Sequence, residues 1–446
     1  MPTDTAPSVD TAPSIDTAPP TDTAPTDTGP PPPPPPNVLL VISDDLGIEG
    51  SACYDPIDKT ERAPQPTIEG LCSQGLVFDA AWSYPMCSPT RSAMLTGRAA
   101  WRTGIGYRLG EDDPPLSMNE ETLPEVIDAA GLGYSHANIG KWHLGEPGDL
   151  DYPNQMGWGH FAGMLGGTPT DYLEGWTKVV DGEEVKGTGY LTSETIDDAL
   201  SWLGEQEDPW VLWLALNAPH TPFHAPPDDL HDYTLSGDPD DDPFSHYLAA
   251  IQAMDTELAR LLEGIDAETL ANTYIIYISD NGALASVNQE VYASNHAKAS
   301  LYQGGVQVPM VVVGPGVVAG ERVSGLVQVT DLYPTILELV GAEPALGVEL
   351  DGVSIVPMLS DPNATVRDIA LIELFSPEIT DQRAGRAARD ARFKLVQHTD
   401  GVVRFFDLEA DPFEEVGLSL PLSIPDQGVA YQALTAALEA TPKKQP

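Results

Sequence analysis

Two apolar runs, NVLLVIS (Asn37–Ser43) and YIIYIS (Tyr274–Ser279), each stop at a pair of oxygen-bearing side chains, Asp44-Asp45 and Asp280-Asn281. No other feature restricts the fold as much. A run without polar alternation is buried on both faces, the condition of an interior strand in a parallel sheet. WVLWLAL (Trp210–Leu216), leading to Asn217-Ala218-Pro219-His220, and VPMVVVG (Val308–Gly314) repeat the pattern. Helical patterns lie between and after the runs. TLPEVIDAAG opens on Thr122 with Glu125 three residues on, HYLAAIQAMDTELARLLEGI spans His246–Ile265, and PTILELVGAEP follows Tyr333. Strands alternating with helices imply an α/β fold, a large mixed, mostly parallel sheet between helices. The C-terminal strand ends of such a sheet form its ligand-binding edge.

The two ends of the chain have other textures. Residues 1–36 repeat Thr, Asp, Ala and Pro and close on a proline run. They carry too little apolar surface to fold, so a disordered tether with a stiff, PPII-like end is expected. From about Asp361, DIALIEL, RFKLVQH and VVRFFDL alternate with turns before a helix at Val429–Glu439. The expected division is 1–36 tether, 37–360 main α/β domain, and 361–446 a smaller C-terminal antiparallel α+β subdomain.

With 68 Asp and Glu against 21 Lys and Arg, the formal charge is −47. That balance repels nucleic acid and anionic membranes, and neither is expected as a partner. The acidic stretch GDPDDDPF (Gly237–Phe244) reads as solvated surface. No apolar run is long enough to span a bilayer, and no basic n-region followed by an apolar h-region is visible at Met1. The Thr/Pro-rich tether nonetheless has the look of the stalk behind an export signal, so export to a periplasmic, cell-surface or secreted location is expected. Of the three cysteines, Cys53 and Cys72 have two readings, a disulfide or two free buried thiols.

Any single Asp at a strand end is most simply a turn former or helix cap. Two strands ending in Asp44-Asp45 and Asp280-Asn281 together point to a hard, oxygen-rich metal site suited to Ca²⁺ or Mg²⁺. CSPTRSAMLTGR (Cys87–Arg98) carries Pro89 in what reads as a first helical turn and Gly97 at its end. Cys87 then sits at a helix N-terminus, where the dipole favours anions and lowers a thiol pKa. Arg91 falls on the same face one turn deeper.

Cys-x-Pro-x-Arg with Leu-Thr-Gly resembles the first sulfatase motif, and GYSHANIGKWHLG (Gly133–Gly145) resembles the second. VISDDLG, APHTPFHAP (Ala218–Pro226), SDNGA, KASLYQGGVQVP (Lys298–Pro309) and RFFDLEADPFEE follow in family order. Over about Asn37 to Leu420 the chain resembles a formylglycine-dependent sulfatase of the arylsulfatase type, in the alkaline-phosphatase-like superfamily. The resemblance implies hydrolysis of sulfate monoesters after a formylglycine-generating enzyme converts Cys87 to 3-oxoalanine (formylglycine). Hydration of that aldehyde gives two hydroxyls on one carbon, one to attack sulfur and one to collapse and expel sulfate.

By the same resemblance, Asp44, Asp45, Asp280, Asn281 and residue 87 hold one Ca²⁺, in preference to Mg²⁺. Arg91 fixes the formylglycine. Lys141 and His143 point to one side, as alternate residues of an extended segment do, with His143 as base. His220 and Lys298 bind sulfate and assist departure of the bridging oxygen. Singly, Lys141 and Lys298 read as surface lysines and His220 as an ordinary loop histidine. His136, His224 and His296 hold no motif position and are read as structural. Gln303 stands where the family often has Glu. Trp101, Tyr107 and Tyr172 could stack on a sugar or aryl ring, though simple packing is their commoner role. The implied substrate is a small sulfate ester or a terminal sulfated sugar. Two other readings stand beside this one: a phosphonate monoester or phosphate diester hydrolase of the same superfamily, and a non-catalytic calcium-binding surface protein.

Overall fold

The computed structural model describes residues 34–442 apart from 55, 56, 58, 59, 146, 147, 381, 420, 421 and 423. The tether expected over 1–36 therefore lies outside the described residues, except for Pro34, Pro35 and Pro36. In chain order the first strands are β1 (Asn37–Ser43), β2 (Leu76–Phe78), β3 (Ala81–Trp82), β4 (Ser135–Lys141), β5 (His160–Met164) and β6 (Thr177–Val180). Then come β7 (Glu183–Lys186), β8 (Trp210–Ala215), β9 (Thr273–Ser279), β10 (Met310–Val313), β11 (Glu321–Val323) and β12 (Val327–Gln328). The last four are β13 (Ala370–Leu374), β14 (Gly385–Arg389), β15 (Phe393–His398) and β16 (Val403–Asp407).

Ten strands form one sheet in the order β11-β2-β10-β9-β1-β8-β4-β5-β6-β7. The centre, β9-β1-β8-β4-β5, is parallel throughout. β10 runs antiparallel to both β9 and β2, so the expectation that VPMVVVG continues the parallel set does not hold. Burial of β1 is complete along its length because its side chains feed two cores in alternation. Val38, Leu40 and Ile42 pack with Met94 and Leu95 of helix Cys87–Thr96 and Ile336 of helix Leu332–Val340. Leu39 and Val41 pack with Ile196 of helix Leu191–Leu203 and Leu248, Ile251 and Met254 of helix Pro243–Gly264. Each such side chain contributes roughly 1.5–3 kcal/mol on burial, which fixes the strand register and hence the position of its polar end.

Capping locks the helices to this sheet. Asp242 accepts from Ser245 N at 3.2 Å, and Pro243 takes the first helical position, so the acidic loop ends as a helix cap. On the inner face of that helix, Asp255 accepts from Thr67 N and Ile68 N, both at 2.9 Å. It thereby satisfies the free donors of helix Pro66–Gln74 from a distant part of the chain. Thr122 N donates to the Glu125 carboxylate at 2.9 Å, the expected reciprocal cap. Cys53 and Cys72 form a disulfide, which decides between the two readings left open by sequence.

Residues β13-β14-β15-β16 make a separate four-stranded antiparallel meander. Helix Pro425–Ala440 covers it through Leu434 and Leu438 against Leu395 and Phe405. β14, GRAAR, had no apolar run to announce it. Among the described residues, no helix is long and apolar enough to cross a membrane.

Candidate active site

The carboxylates are brought together by continuation of the sheet's own ladder. Past the end of β1, Asp44 N donates to Ala218 O at 3.1 Å; past β9, Asp280 N donates to Ser43 O at 3.0 Å. Asp45 then turns in the left-handed region, φ 72°, and its N–H points to Asp280 Oδ1 at 3.3 Å. Asn281 Nδ2 donates to Asp45 Oδ1 at 2.7 Å. All four residues are fully buried or nearly so. Tyr247 from the long helix holds the Asp45 carbonyl at 2.9 Å.

Helix Cys87–Thr96 enters over this edge with every residue buried. Cys87 is its first residue, and its sulfur lies in one cluster with oxygens of Asp44 and Asp280. The helix stops at Gly97, φ 67°, where an added Cβ would stand 2.7 Å from the Tyr333 ring. Arg91, one turn in, donates through Nε and Nη2 to Asp280 Oδ2 at 3.2 and 2.9 Å and through Nη1 to Lys141 O at 2.8 Å. The Cys87 thiol departs from the dipole argument. Burial pushes its pKa up, outweighing Lys141 and Lys298, which pull it down, while Asp44 and Asp280 add to the rise. A free thiol here stays protonated and is a weak nucleophile.

Lys141 closes β4 with Nζ on Asp44 Oδ2 at 2.5 Å, fully buried. His143 does not continue an extended segment as expected. Its φ of 58° turns the ring away from the strand direction, so Lys141 and His143 reach the site by different routes. The ring packs against Gly167, where an added Cβ would stand 2.2 Å from Cε1, and its Nε2 lies 3.1 Å from Leu109 O. That contact places the proton on Nε2 and leaves Nδ1, buried and without a partner among the described residues, as a lone-pair acceptor. Burial, then Lys141 and Arg91, hold the imidazole well below its ordinary pKa, so it is neutral.

His220 follows β8 by five residues. Its Nδ1 sits 2.7 Å from Thr221 O and its Nε2 lies 3.8 Å from Asp45 Oδ2. Burial lowers its pKa although Asp44 and Asp45 pull it up. Lys298 places Nζ on Asp45 Oδ1; against the cost of burial, Asp45 and then Cys87 raise its pKa, and it stays charged. It lines a cleft of about 490 Å³ with Met86, Tyr107, Arg108 and Arg383.

Every sequence-predicted site residue thus reaches this edge: Asp44, Asp45, Cys87, Arg91, Lys141, His143, His220, Asp280, Asn281 and Lys298. Three carboxylates face three cations, Arg91, Lys141 and Lys298. Asp44 lies below its usual pKa: burial raises it, but Lys141, His220 and Arg91 together prevail. Asp45 is likewise low, burial being outweighed by Lys298 and His220. Asp280 is pushed up, by burial and then by the neighbouring Asp44 charge. Despite this balance, Asp44 Oδ1, Asp45 Oδ2 and Asn281 Oδ1 are buried acceptors with no donor among the described residues. Orphaned oxygens of one hard type, converging from two strand ends, fit a Ca²⁺- or Mg²⁺-class cation.

Asn217 was missed. It follows β8, is 2% exposed, and neither amide atom has a partner among the described residues, while Tyr172 Oη donates to its carbonyl and to that of His220, both at 2.8 Å. Its place directly after an apolar run was the available signal. The histidines read as structural are so held: His136 bonds Asp128 at 2.9 Å, and His224 and His296 stack on Tyr172 and Tyr302. Tyr172 is therefore packing, not a substrate platform.

Comparison with known proteins identifies the family. A family model described as Sulfatase matches residues 36–342, and one described as N-sulphoglucosamine sulphohydrolase, C-terminal, matches residues 294–420. The chain is 28% identical over 337 residues to the uncharacterized sulfatase YdeN of Escherichia coli (strain K12), covering 68% of this chain and 59% of that protein. It is 28% identical over 356 residues to N-acetylgalactosamine-6-sulfatase of Homo sapiens, covering 72% and 65%. With Arylsulfatase A of Homo sapiens it shares 27% over 447 residues, covering 91% and 84%. The match thus spans under two thirds of the length of the first two relatives. Among solved structures, that of Ps i-CgsB with k-i-k-neocarrahexaose superposes with a TM-score of 0.78 at 24% identity, covering 91% of this chain and 92% of that one. That of BT4656 with its substrate D-glucosamine-2-N,6-O-disulfate gives 0.72 at 19%, covering 91% and 98%.

Proposed function

Because the chain belongs to the sulfatase family, of the alkaline-phosphatase-like superfamily, we propose that it hydrolyses sulfate monoesters with Cys87 matured to formylglycine. One observation carries this reading. Cys87 opens a buried helix between the Asp44-Asp45 and Asp280-Asn281 strand ends, under Lys141 and Lys298, where its thiol is unsuited to act as a thiol.

Asp44, Asp45, Asp280 and Asn281 would hold the cation, with residue 87 completing the set. Oxygen-only donors in this number favour Ca²⁺ over Mg²⁺, which keeps more of its water. When bound, Ca²⁺ supplies Lewis acidity towards a sulfate oxygen. Formylglycine, as its hydrate, supplies an oxygen nucleophile and a second hydroxyl for release of sulfate.

The remaining work falls to side chains of the chain itself. Arg91 holds Asp280 and the Lys141 carbonyl in fixed relation beneath residue 87. The Lys141 and Lys298 ammoniums neutralise the charge of the sulfate group in a site shielded from water. His143 accepts a proton at Nδ1 from the hydroxyl on residue 87, since its Nε2–H is committed to Leu109 O. His220 is neutral in the free site with its Nε2 lone pair open; the charge of a bound ester favours protonation there, and Nε2 then protonates the departing oxygen.

The −47 charge supports small or terminal esters over long polyanions. Sulfated sugars are the class most directly suggested, by the names of the relatives and by the disulfated glucosamine bound to BT4656. On this reading 37–360 is the catalytic part and 361–446 an accessory one. A formylglycine-generating enzyme is the maturation partner, and the Cys53–Cys72 disulfide supports export to an oxidising compartment. Mass spectrometry of the peptide carrying residue 87, from protein co-produced with that maturation enzyme, tests the reading. Aldehyde at residue 87 with aryl-sulfate turnover is expected. Turnover that survives Cys87→Ala would overturn it.

A further inference from the structure

The meander β13-β14-β15 and the short helix Ala100–Thr103 enclose a second cavity of about 650 Å³. It shares no lining residue with the cleft over Lys298. Residues between β13 and β14 wall both: Arg383 lines the cleft, while Phe375 and Ile379 line the cavity. The volume is that of a typical small-molecule site.

Glu373 and Arg386 line it as direct cross-strand neighbours on β13 and β14. Glu373 is 2% exposed; its Oε2 accepts from Tyr84 Oη at 3.4 Å, and its Oε1 has no partner among the described residues. A buried acid oxygen left this way is destabilising unless something pairs with it. Burial, opposed by Arg386, pushes its pKa up to about 8, so near neutrality it carries a hydroxyl that can donate as well as accept. Arg386 spends Nη1 on Thr441 O at 2.8 Å, its only hydrogen bond among the described residues. Trp101 lines the cavity with one ring face taken by the Arg102 guanidinium, 4.1 Å from the centroid.

A cation in the cavity meets Arg386. An uncharged ring with an apolar face and several hydroxyls meets an aromatic wall, a carboxyl hydroxyl that can donate or accept at Glu373, and guanidinium donors at Arg386. We propose that this cavity binds an uncharged pyranose, its C–H face on the Trp101–Phe375 side and neighbouring hydroxyls on Glu373 Oε1 and Arg386. The site is distinct from the one assigned to sulfate, and its occupancy does not depend on the maturation of Cys87.

Saturation-transfer NMR on the full chain, with methyl α-D-glucopyranoside, methyl β-D-galactopyranoside and methyl α-D-mannopyranoside as probes, tests this directly. At least one should bind saturably, and Trp101→Ala and Arg386→Met should each weaken it roughly tenfold. Lys298→Met, in the other cleft, should leave it unchanged. Hydrogen exchange on the unmutated protein provides a check independent of the variants: the glycoside should slow peptides covering 370–376 and 385–398. Absence of saturable binding by all three probes, equal binding in wild type and both variants, loss on Lys298→Met, or protection confined to other peptides would each overturn the proposal.

Discussion

Arg91 offers the sharpest test of how the site is built, because its three hydrogen bonds tie the nucleophile helix to two strand ends at once. Two go to Asp280 Oδ2, at 3.2 and 2.9 Å, and one to Lys141 O, at 2.8 Å, with no exposure to water. Arg91→Lys keeps the charge, but an ammonium is a single point and cannot reach both partners. It loses at least one arm of the brace, and bonds to charged groups are worth about 1.5–3 kcal/mol each. Arg91→Met removes the charge as well and leaves Asp280 buried without its main partner, a loss of about 3–5 kcal/mol. At about 2 cal/mol/K of unfolding entropy per residue, a loss of roughly 3 kcal/mol lowers Tm by about 3–4 °C in a chain of this length. Differential scanning calorimetry of the three proteins in excess calcium should rank them wild type, Lys, Met. Melting of Arg91→Met within a degree of wild type, or equal losses in both variants, would refute the idea that this guanidinium braces the site.

Three further outcomes follow from other parts of the structure. Chelation should lower Tm and calcium restore it, since Asp44 Oδ1, Asp45 Oδ2 and Asn281 Oδ1 lack donors; calcium thousandfold above Kd stabilises by about 4 kcal/mol, and Asp45→Asn should blunt the effect in a calorimetric titration. Burial, opposed by Arg62, raises the Glu49 carboxyl to about 7, from an ordinary value near 4.5. Stability from this group is full below pH 4.5 and is lost as pH rises through 7, on the order of 3 kcal/mol; urea midpoints of Glu49→Gln against pH should be flatter than those of wild type over that window. Opening the Cys53–Cys72 disulfide, which spans a sequence separation of 19, should cost about 3 kcal/mol, read as the shift of the urea midpoint in the double Cys→Ser variant.

What could be read from the sequence was whatever one local pattern determines. β1, β8 and β9 stood out because unbroken apolar runs admit few alternatives, and their polar ends located the carboxylates. The direction of β10 did not stand out, since MVVV is equally apolar in either sense and only its neighbours decide. β14 was missed because GRAAR buries its small residues solely by pairing with β13 and β15. At the site, residue types and order were legible, but their environments were not. The helix dipole is local to Cys87, whereas the burial that overrides it comes from the sheet edge and the loops around it. His143 gave no sign of a left-handed backbone, lacking the glycine that usually marks one. The burial and missing partners of Asn217, and the pairing of Cys53 with Cys72, depend on segments distant in sequence.

One comparison bears most directly on the central claim that this site cleaves sulfate monoesters at a formylglycine. On protein verified as modified at residue 87, kcat/KM is measured for an aryl sulfate and for an aryl phosphonate monoester, with Cys87→Ala and chelated samples alongside. The account predicts preference for the sulfate, abolished in both controls. Preference for the phosphonate would contradict the assigned reaction while leaving the nucleophile and metal site in place, and equal sulfate turnover in the Cys87→Ala protein would contradict the account itself.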